Sequence, residues 1–402
     1  MASGTTTPQQ TGRAPRSALL LVGILLIAAN LRAAITAVGP VVDDIRGDLS
    51  ISGATASVLV SIPLVAFAVV SPVAPVLARR LGIERALGAA LVVLGAATVV
   101  RSLPSMVALW TGTAFLGIAV AVINVVLPSL VKRDHPHQVG QITGLYSSVQ
   151  GAAAALASGF AVPIAGTTQH GWRLALGLWA GLAVVALAVF LPQLRRRSVP
   201  EPAAGRPGAP VQGRSPWGTP LAWQVTLFMG MQSTVYYTLI TWWPSVEQAH
   251  GTSAAAAGWH LFALQVAGLV ANLATARLLP RLRDQRLLAL GGTCLFVLGI
   301  GGQLAAPDAS LLWIVLAGAG GGVCIVLALS LFGLRTHDHR QAAALSGMAQ
   351  SVGYALAAAG PILLGALHDA TGSWTAPLWV LLGVLVIQGS AGVLAGRNRT
   401  LG

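Results

Sequence analysis

The stretch Ala18-Leu-Leu-Leu-Val-Gly-Ile-Leu-Leu-Ile-Ala-Ala-Asn-Leu-Arg-Ala-Ala-Ile-Thr36 carries only Asn30, Arg32 and Thr36 as polar side chains. A helix rises about 1.5 Å per residue and needs roughly 20 apolar residues to cross a hydrocarbon core about 30 Å thick. The block therefore predicts a membrane span, placed near 18–42. Apolar blocks of the same kind recur near 54–78, 86–102, 105–131, 140–165 and 171–192, then near 221–246, 254–279, 287–305, 309–334, 341–367 and 374–396. The expected fold is an all-α membrane protein with twelve transmembrane helices in two pseudo-symmetric six-helix bundles.

Composition agrees with this pattern. Hydrophobic residues make up 55% of the 402 positions and charged residues 9%, against about 25% charge in a soluble domain. The net charge of +13 does not point to nucleic acid, because the basic residues punctuate apolar blocks instead of clustering on one face. Cys294 and Cys324 each lie inside an apolar block with no Cys or His neighbour, so neither a disulfide framework nor a metal site is expected. No cofactor is expected either.

The blocks divide the chain into a cytoplasmic tail (1–16), an N-terminal bundle (17–192), a linker (193–220), a C-terminal bundle (221–396) and a second tail (397–402). The linker holds Arg195, Arg196, Arg197, Arg206 and Arg214 among Pro and Gly and cannot bury a core. The opening Met1–Arg16 stretch reads as a retained cytoplasmic tail, because the span behind it is too long for a signal-peptide core. With that tail inside, about 20 of the 24 Lys and Arg fall in cytoplasmic segments, as membrane insertion favours. Only Arg46, Arg101 and Arg173 fall outside, and Arg32 lies within a span. The expected location is a bacterial plasma membrane, with both termini cytoplasmic.

An internal repeat supports two halves. Val76-Leu-Ala-Arg-Arg-Leu-Gly-Ile-Glu-Arg-Ala-Leu87 aligns with Arg277-Leu-Leu-Pro-Arg-Leu-Arg-Asp-Gln-Arg-Leu-Leu288, pairing Arg80 with Arg281 and Arg85 with Arg286. Offsets one and two residues longer set Lys132-Arg133 against Leu334-Arg335 and Thr143-Gly144 against Ser346-Gly347. Duplicated bundles of this kind build many transporter folds.

Six spans plus six, a basic central linker and basic loops after the second and eighth spans resemble the major facilitator superfamily. Its loop motif Gly-x-Leu-Ala-Asp-Arg-x-Gly-Arg-Arg is matched here at Leu77, Ala78, Arg80 and Gly82, with Arg79 at the acidic position. The resemblance implies a cytoplasmic gate that includes Arg80, Arg85, Arg281 and Arg286; the charge pair made by the usual Asp is lost. Asn30-Leu-Arg-Ala-Ala-Ile-Thr-Ala-Val-Gly-Pro40 resembles the Asn-Leu-Arg-Pro-x-Ile-Thr-x-Val-Gly-Pro pattern of the cyanate and 2-nitroimidazole transporters, with Ala33 for the usual Pro. Asn124-Val-Val-Leu-Pro-Ser-Leu-Val-Lys-Arg-Asp134, Gly171-Trp-Arg173 and Gly333-Leu-Arg-Thr-His337 are also similar to that family.

Arg32 is the residue that bears most on function. An arginine at that depth costs between about 2.5 and 17 kcal/mol, so it should face the bundle interior and have a partner. All eleven acidic residues fall at span ends or in loops, which leaves a substrate anion as one candidate partner. Carbonyls of a broken neighbouring helix, or Asp369 from outside, are the structural alternatives.

Other mid-span polar groups are Asn30, Asn124, Gln232, Tyr236, Tyr237, Gln265, Asn272, Gln350 and Tyr354. Gln232, Tyr236 and Trp243 share one helical face. Substrate binding is assigned to Arg32, Asn30, Asn124, Gln232, Tyr236, Trp243, Gln265, Gln350 and Tyr354, with packing across helices as the alternative for each. Trp242 is expected to anchor a helix at the membrane surface. His260 is a candidate proton site, with a structural donor as the alternative. Gly318, Gly320, Gly321 and Gly322 lack the Gly-Lys-Ser/Thr of a phosphate loop and read as helix-packing positions.

These features predict a secondary transporter for a small anionic or polar organic solute, cyanate- or nitroimidazole-like under the family resemblance. The expected partners are that solute and membrane lipid, with protons a candidate coupling ion and no nucleic acid; a monomer is expected. A drug or metabolite exporter of the same superfamily is the alternative, and a receptor or scaffold a more distant one. An enzyme would need clustered nucleophiles, acids or metal ligands within the spans, and none is visible.

Overall fold

Backbone N–H and C=O groups inside hydrocarbon must find partners within the protein, which restricts spanning structure to helices or closed barrels. The computed structural model describes residues 14–135, 139–195, 216–337 and 339–401, and among them every regular element is helical. Most of the expected N-terminal tail and of the linker, including Arg196, Arg197, Arg206 and Arg214, lies outside the described residues.

The first half comprises α1 (Ala14–Thr36), α2 (Val42–Leu49), α3 (Gly53–Val70), α4 (Ala74–Leu81), α5 (Ile83–Val100), α6 (Met106–Asp134), α7 (Val139–Ala165), α8 (Gly171–Gly177) and α9 (Trp179–Phe190). The second comprises α10 (Pro220–Gln248), α11 (Ala254–Leu278), α12 (Arg286–Ala305), α13 (Ser310–Leu334), α14 (His339–Thr371) and α15 (Thr375–Ala395). The near face of the molecule is taken here as the one where α1 begins and α15 ends; the opposite one is the far face. In the first half α1 packs on α7 and α9, and α5 on α6 and α9; in the second α10 packs on α14 and α15, and α13 on α11 and α12. Two seams join the halves, α3 against α14 and α7 against α11.

Two expected spans end earlier than their apolar runs. The first breaks after Thr36, turns through the 3-10 segment Gly39–Val41 and resumes as α2. Pro40 has no N–H to give a continuing helix, and the α10 backbone fills the space beside Gly39: a Cβ there would lie 1.9 Å from the Ile240 carbonyl oxygen. The second span stops at Val70, because Pro72 and Pro75 interrupt the apolar run and α4 starts anew at Ala74. Three helices that start at the far face carry a serine cap, with Ser52, Ser105 and Ser253 accepting from the N–H of Thr55, Ala108 and Ala256. Each satisfies a backbone donor that has no partner within its helix.

Eleven helical stretches among the described residues are long and apolar enough to cross a membrane. The remaining expected span is α10, which has the length but is too polar along its sequence to qualify on hydropathy. Large apolar side chains such as Val69, Val107, Leu287 and Val386 point outward, as a lipid-facing surface requires.

The glycines of α13 act as packing positions. A Cβ on Gly318 would meet the Leu264 carbonyl oxygen of α11 at 2.3 Å, and one on Gly322 would meet that of Gly268 at 2.1 Å. Small residues let membrane helices approach backbone to backbone. Gly322→Leu is accordingly expected to destabilise the protein by about 1–3 kcal/mol or more, read as a lower unfolding midpoint in detergent. Gly301→Ala, which meets nothing within 4 Å, is expected to leave that midpoint unchanged.

Candidate functional site

Arg32 projects from α1 toward α10 and is half-buried. One of its terminal nitrogens donates to the Tyr237 hydroxyl at 3.0 Å. Its guanidinium carbon lies 5.8 Å from the ring centroids of both Tyr236 and Tyr237, a distance at which ring faces attract a cation. The two rings meet edge to face at 5.4 Å. Tyr236 in turn donates to Gln265 Oε1 of α11 at 2.9 Å, and the Gln265 amide nitrogen is buried without a partner. Tyr354 of α14 is within electrostatic reach of Arg32 and packs edge to face on Phe67 at 5.4 Å.

The ion pairs of the described residues all lie elsewhere. Asp369, an alternative partner for Arg32, instead accepts from the backbone of Gly53 and Ala54 and sits 3.6 Å from Arg46. The nitrogens of Arg32 not bonded to Tyr237 are not among the sealed, unpartnered atoms of the described residues. The guanidinium can therefore accept a further partner.

Arg32, Tyr236 and Gln265 form one connected group, with Tyr354 beside it. Asn30 faces away, donating to the carbonyls of Leu26 and Leu182 and so fixing α1 against α9. Gln232 bonds within its own helix to Ser233 and Met229, and Gln350 to Ser346. Asn124 is exposed on α6. Trp243 is 1% exposed and donates to Glu247 Oε1 at 3.0 Å. Tyr237, which accepts the hydrogen bond from Arg32, escapes the i, i+4 selection that picks Tyr236. Its signal in the sequence is adjacency: an arginine opposite a Tyr-Tyr pair can lie between both rings.

Trp242 is not a surface anchor. It is 2% exposed, donates to the Pro361 carbonyl at 2.9 Å and packs on Trp374 at 5.1 Å. The far-face ends of α14 and α15 cover it, which takes it out of the membrane interface. Around it the two halves are latched. Ser245 of α10 donates to Asp43 at 2.6 Å, and Ser57 of α3 donates to Pro361 O at 2.8 Å. Together with the contacts of Asp369, these bonds hold the far face shut.

At the near face Arg80, Arg85, Arg281 and Arg286 are exposed, and Arg286 pairs with Asp284 at 2.8 Å. More deeply placed are two arginines outside the expected gate. Arg133 binds Glu84 at 2.7 Å and Asp134 at 2.6 Å, with Glu84 fully buried. Arg335 binds the Gln285 side chain and the carbonyls of Ala395 and Gly396. Burial holds the Arg335 guanidinium below its ordinary value, with Asp284 acting in the opposite direction.

The eleven apolar stretches with α10 describe a polytopic membrane protein; among the described residues no group of His, Cys, Asp and Glu could hold a metal ion. The sequence model of the Major Facilitator Superfamily matches residues 22–358. The chain belongs to that superfamily and is a transporter, not an enzyme. It is 43% identical to the "Uncharacterized transporter YycB" of Bacillus subtilis (strain 168), over 98% of this chain and 97% of that one. It is 42% identical to the "2-nitroimidazole transporter" of Escherichia coli (strain K12), over 95% and 96%. It is 27% identical to the "Cyanate transport protein CynX" of the same strain, over 92% and 96%. Among solved structures, a D-xylose-proton symporter superposes with a TM-score of 0.75 at 16% identity, covering 95% of each chain, which speaks to the fold alone.

Two outcomes follow from these contacts. Arg133→Ala removes an ion pair from the buried Glu84 and is expected to lower the unfolding midpoint in detergent more than Glu84→Gln, which reproduces the amide found at Gln285 and keeps an acceptor for Arg133. Tyr237→Phe keeps the ring but removes the acceptor for Arg32, and should weaken solute binding by about 3- to 30-fold, measured by binding to purified protein. Binding equal to wild type would show that this hydrogen bond does not shape the site.

Proposed function

We propose that the protein is a secondary transporter for a small anionic or polar organic solute, cyanate- or nitroimidazole-like, with Arg32 as its fixed recognition charge. The observation that carries this reading is a mid-depth guanidinium that has a phenol and two ring faces for company and no carboxylate among the described residues. A cation in that position is costly unless something balances it, and a solute anion supplies that balance when bound. The printed names of two relatives, a 2-nitroimidazole transporter and a cyanate transport protein, agree with compact planar or linear solutes.

The solute site is assigned to Arg32, Tyr236, Tyr237, Gln265 and Tyr354. Alternating access would come from the two halves rocking about this level. The distribution of Lys and Arg supports a cytoplasmic near face, hence both termini inside a bacterial inner membrane. In that orientation the latched face is the outer one, and the protein works as a monomer. A monovalent anion entering against the membrane potential meets about 2.3 kcal/mol per 100 mV, so uptake calls for a compensating charge movement or exchange.

Reconstitution into liposomes with labelled cyanate and labelled 2-nitroimidazole, under imposed pH and voltage gradients, tests the reading. Arg32→Ala should abolish cyanate uptake, and Arg32→Lys should retain a measurable fraction of it. Uptake by Arg32→Ala equal to wild type would sink the assignment of Arg32.

A further inference from the structure

Glu247 closes α10 at the far face and is fully buried. One of its oxygens, Oε1, takes the indole N–H of Trp243 at 3.0 Å, the His260 ring nitrogen Nδ1 at 2.8 Å and the Ser310 hydroxyl. The other, Oε2, is sealed from solvent with no partner at all. A permanently ionised carboxylate would leave that second oxygen uncompensated in a dry setting, which is expensive. A carboxyl group that can take up a proton removes the penalty. His260 and Ser310 also line a cavity of about 470 Å³ at the far-face rim, together with Thr252 and Asp308. The carboxylate is thus one side chain away from a space that water can fill.

We propose that Glu247 and His260 form a proton-binding site of the transporter, loaded from the far-face cavity. A hydronium in cavity water gives its proton to the outer ring nitrogen of His260 and leaves as water, while the proton on Nδ1 passes to Glu247. The pair then carries one positive charge more than before. Other titratable groups on the neighbouring elements are Asp308 before α13 and His250 after α10, both exposed, and Asp43 at the start of α2, which accepts from Ser245. None of these bonds to Glu247. The site stands on the same helix as Tyr236 and Tyr237, so its charge acts on the element that flanks Arg32, and a proton carried with a monovalent anion cancels the electrical cost of uptake. This role in coupling rests on the transport reading above; the binding of the proton does not.

Two measurements test the proposal. Infrared difference spectra of the membrane-reconstituted protein across a pH titration should show a protonated-carboxyl band at low pH that is absent in Glu247→Gln. His260→Ala and Ser310→Ala each remove a donor that favours the carboxylate, so both should move the band's midpoint to higher pH, His260→Ala by about one to three pH units. A band that persists in Glu247→Gln, or a midpoint that moves in neither of the other variants, overturns the site, and the second criterion stands even if Glu247→Gln does not fold. In liposomes, Glu247→Gln should still exchange labelled cyanate across the membrane but lose the extra accumulation that an imposed pH gradient gives wild type. Accumulation equal to wild type overturns coupling through this pair. If wild type carries neither cyanate nor 2-nitroimidazole, the substrate reading has failed by itself, and the infrared band still decides whether the pair binds a proton.

Discussion

The hydrogen bond from Arg32 to Tyr237 is the contact around which the two halves are arranged. It lies where a charge is hardest to keep, and it joins the first helix of one half to the first helix of the other. From that level to the far face it is the chain after α1 that follows α10. Gly39 admits the Ile240 carbonyl, and beyond it Asp43 accepts from Ser245. A second line runs parallel along α3 and α14, through Ser57 to Pro361 and from Gly53 and Ala54 to Asp369. The bonds of Asp43 with Ser245 and of Gly53 and Ala54 with Asp369 are made near helix ends, where backbone groups are free to take part. Such contacts can be exchanged for water when a face opens, which a sealed apolar seam could not do as cheaply.

The near face shows how the duplication was kept and altered. Glu84 and Arg133 of the first half align in the repeat with Gln285 and Arg335 of the second, and in each half the two side chains meet. The arrangement is common to both halves, with an acid in one and an amide in the other. In the first half Arg133 has carboxylates on both sides, from Glu84 and Asp134. In the second, the charge of Arg335 is met by an amide and by the carbonyls ending α15, where a cation also complements the helix dipole. An ion pair and a capped helix end do the same mechanical job of pinning two helices at the near face.

The spans were legible in the sequence because hydrocarbon imposes one length and one polarity on almost every crossing helix. Arg32 was legible for the converse reason: nothing else in an apolar block has its cost. Glu247 was not. It stands just past the apolar run, where a carboxylate is solvated by default, and its burial depends on His260 and Ser310 arriving from positions 13 and 63 residues away. Trp242 misled in the same way, since a tryptophan at the end of a span is as suitable for the membrane interface as for a contact with Trp374. Sequence periodicity says which residues share a helical face and is silent on whether that face meets lipid, water or another helix.

That silence explains why α10 is the span that hydropathy misses. Of its 29 residues, 21 are buried, because α13, α14, α15 and the break after α1 surround it. A helix enclosed by protein need not be lipid-like, so α10 could accumulate Gln232, Ser233, Thr234, Tyr236, Tyr237, Thr238, Thr241 and Glu247. α11 is the opposite case in exposure: only 28% of its most apolar stretch is buried, and that stretch has the hydropathy of a span. Polarity tolerated by enclosure is what function can use, and α10 holds both the tyrosines beside Arg32 and the carboxylate at the far face. One helix thus carries both, with Pro244 interrupting its hydrogen-bond ladder between them.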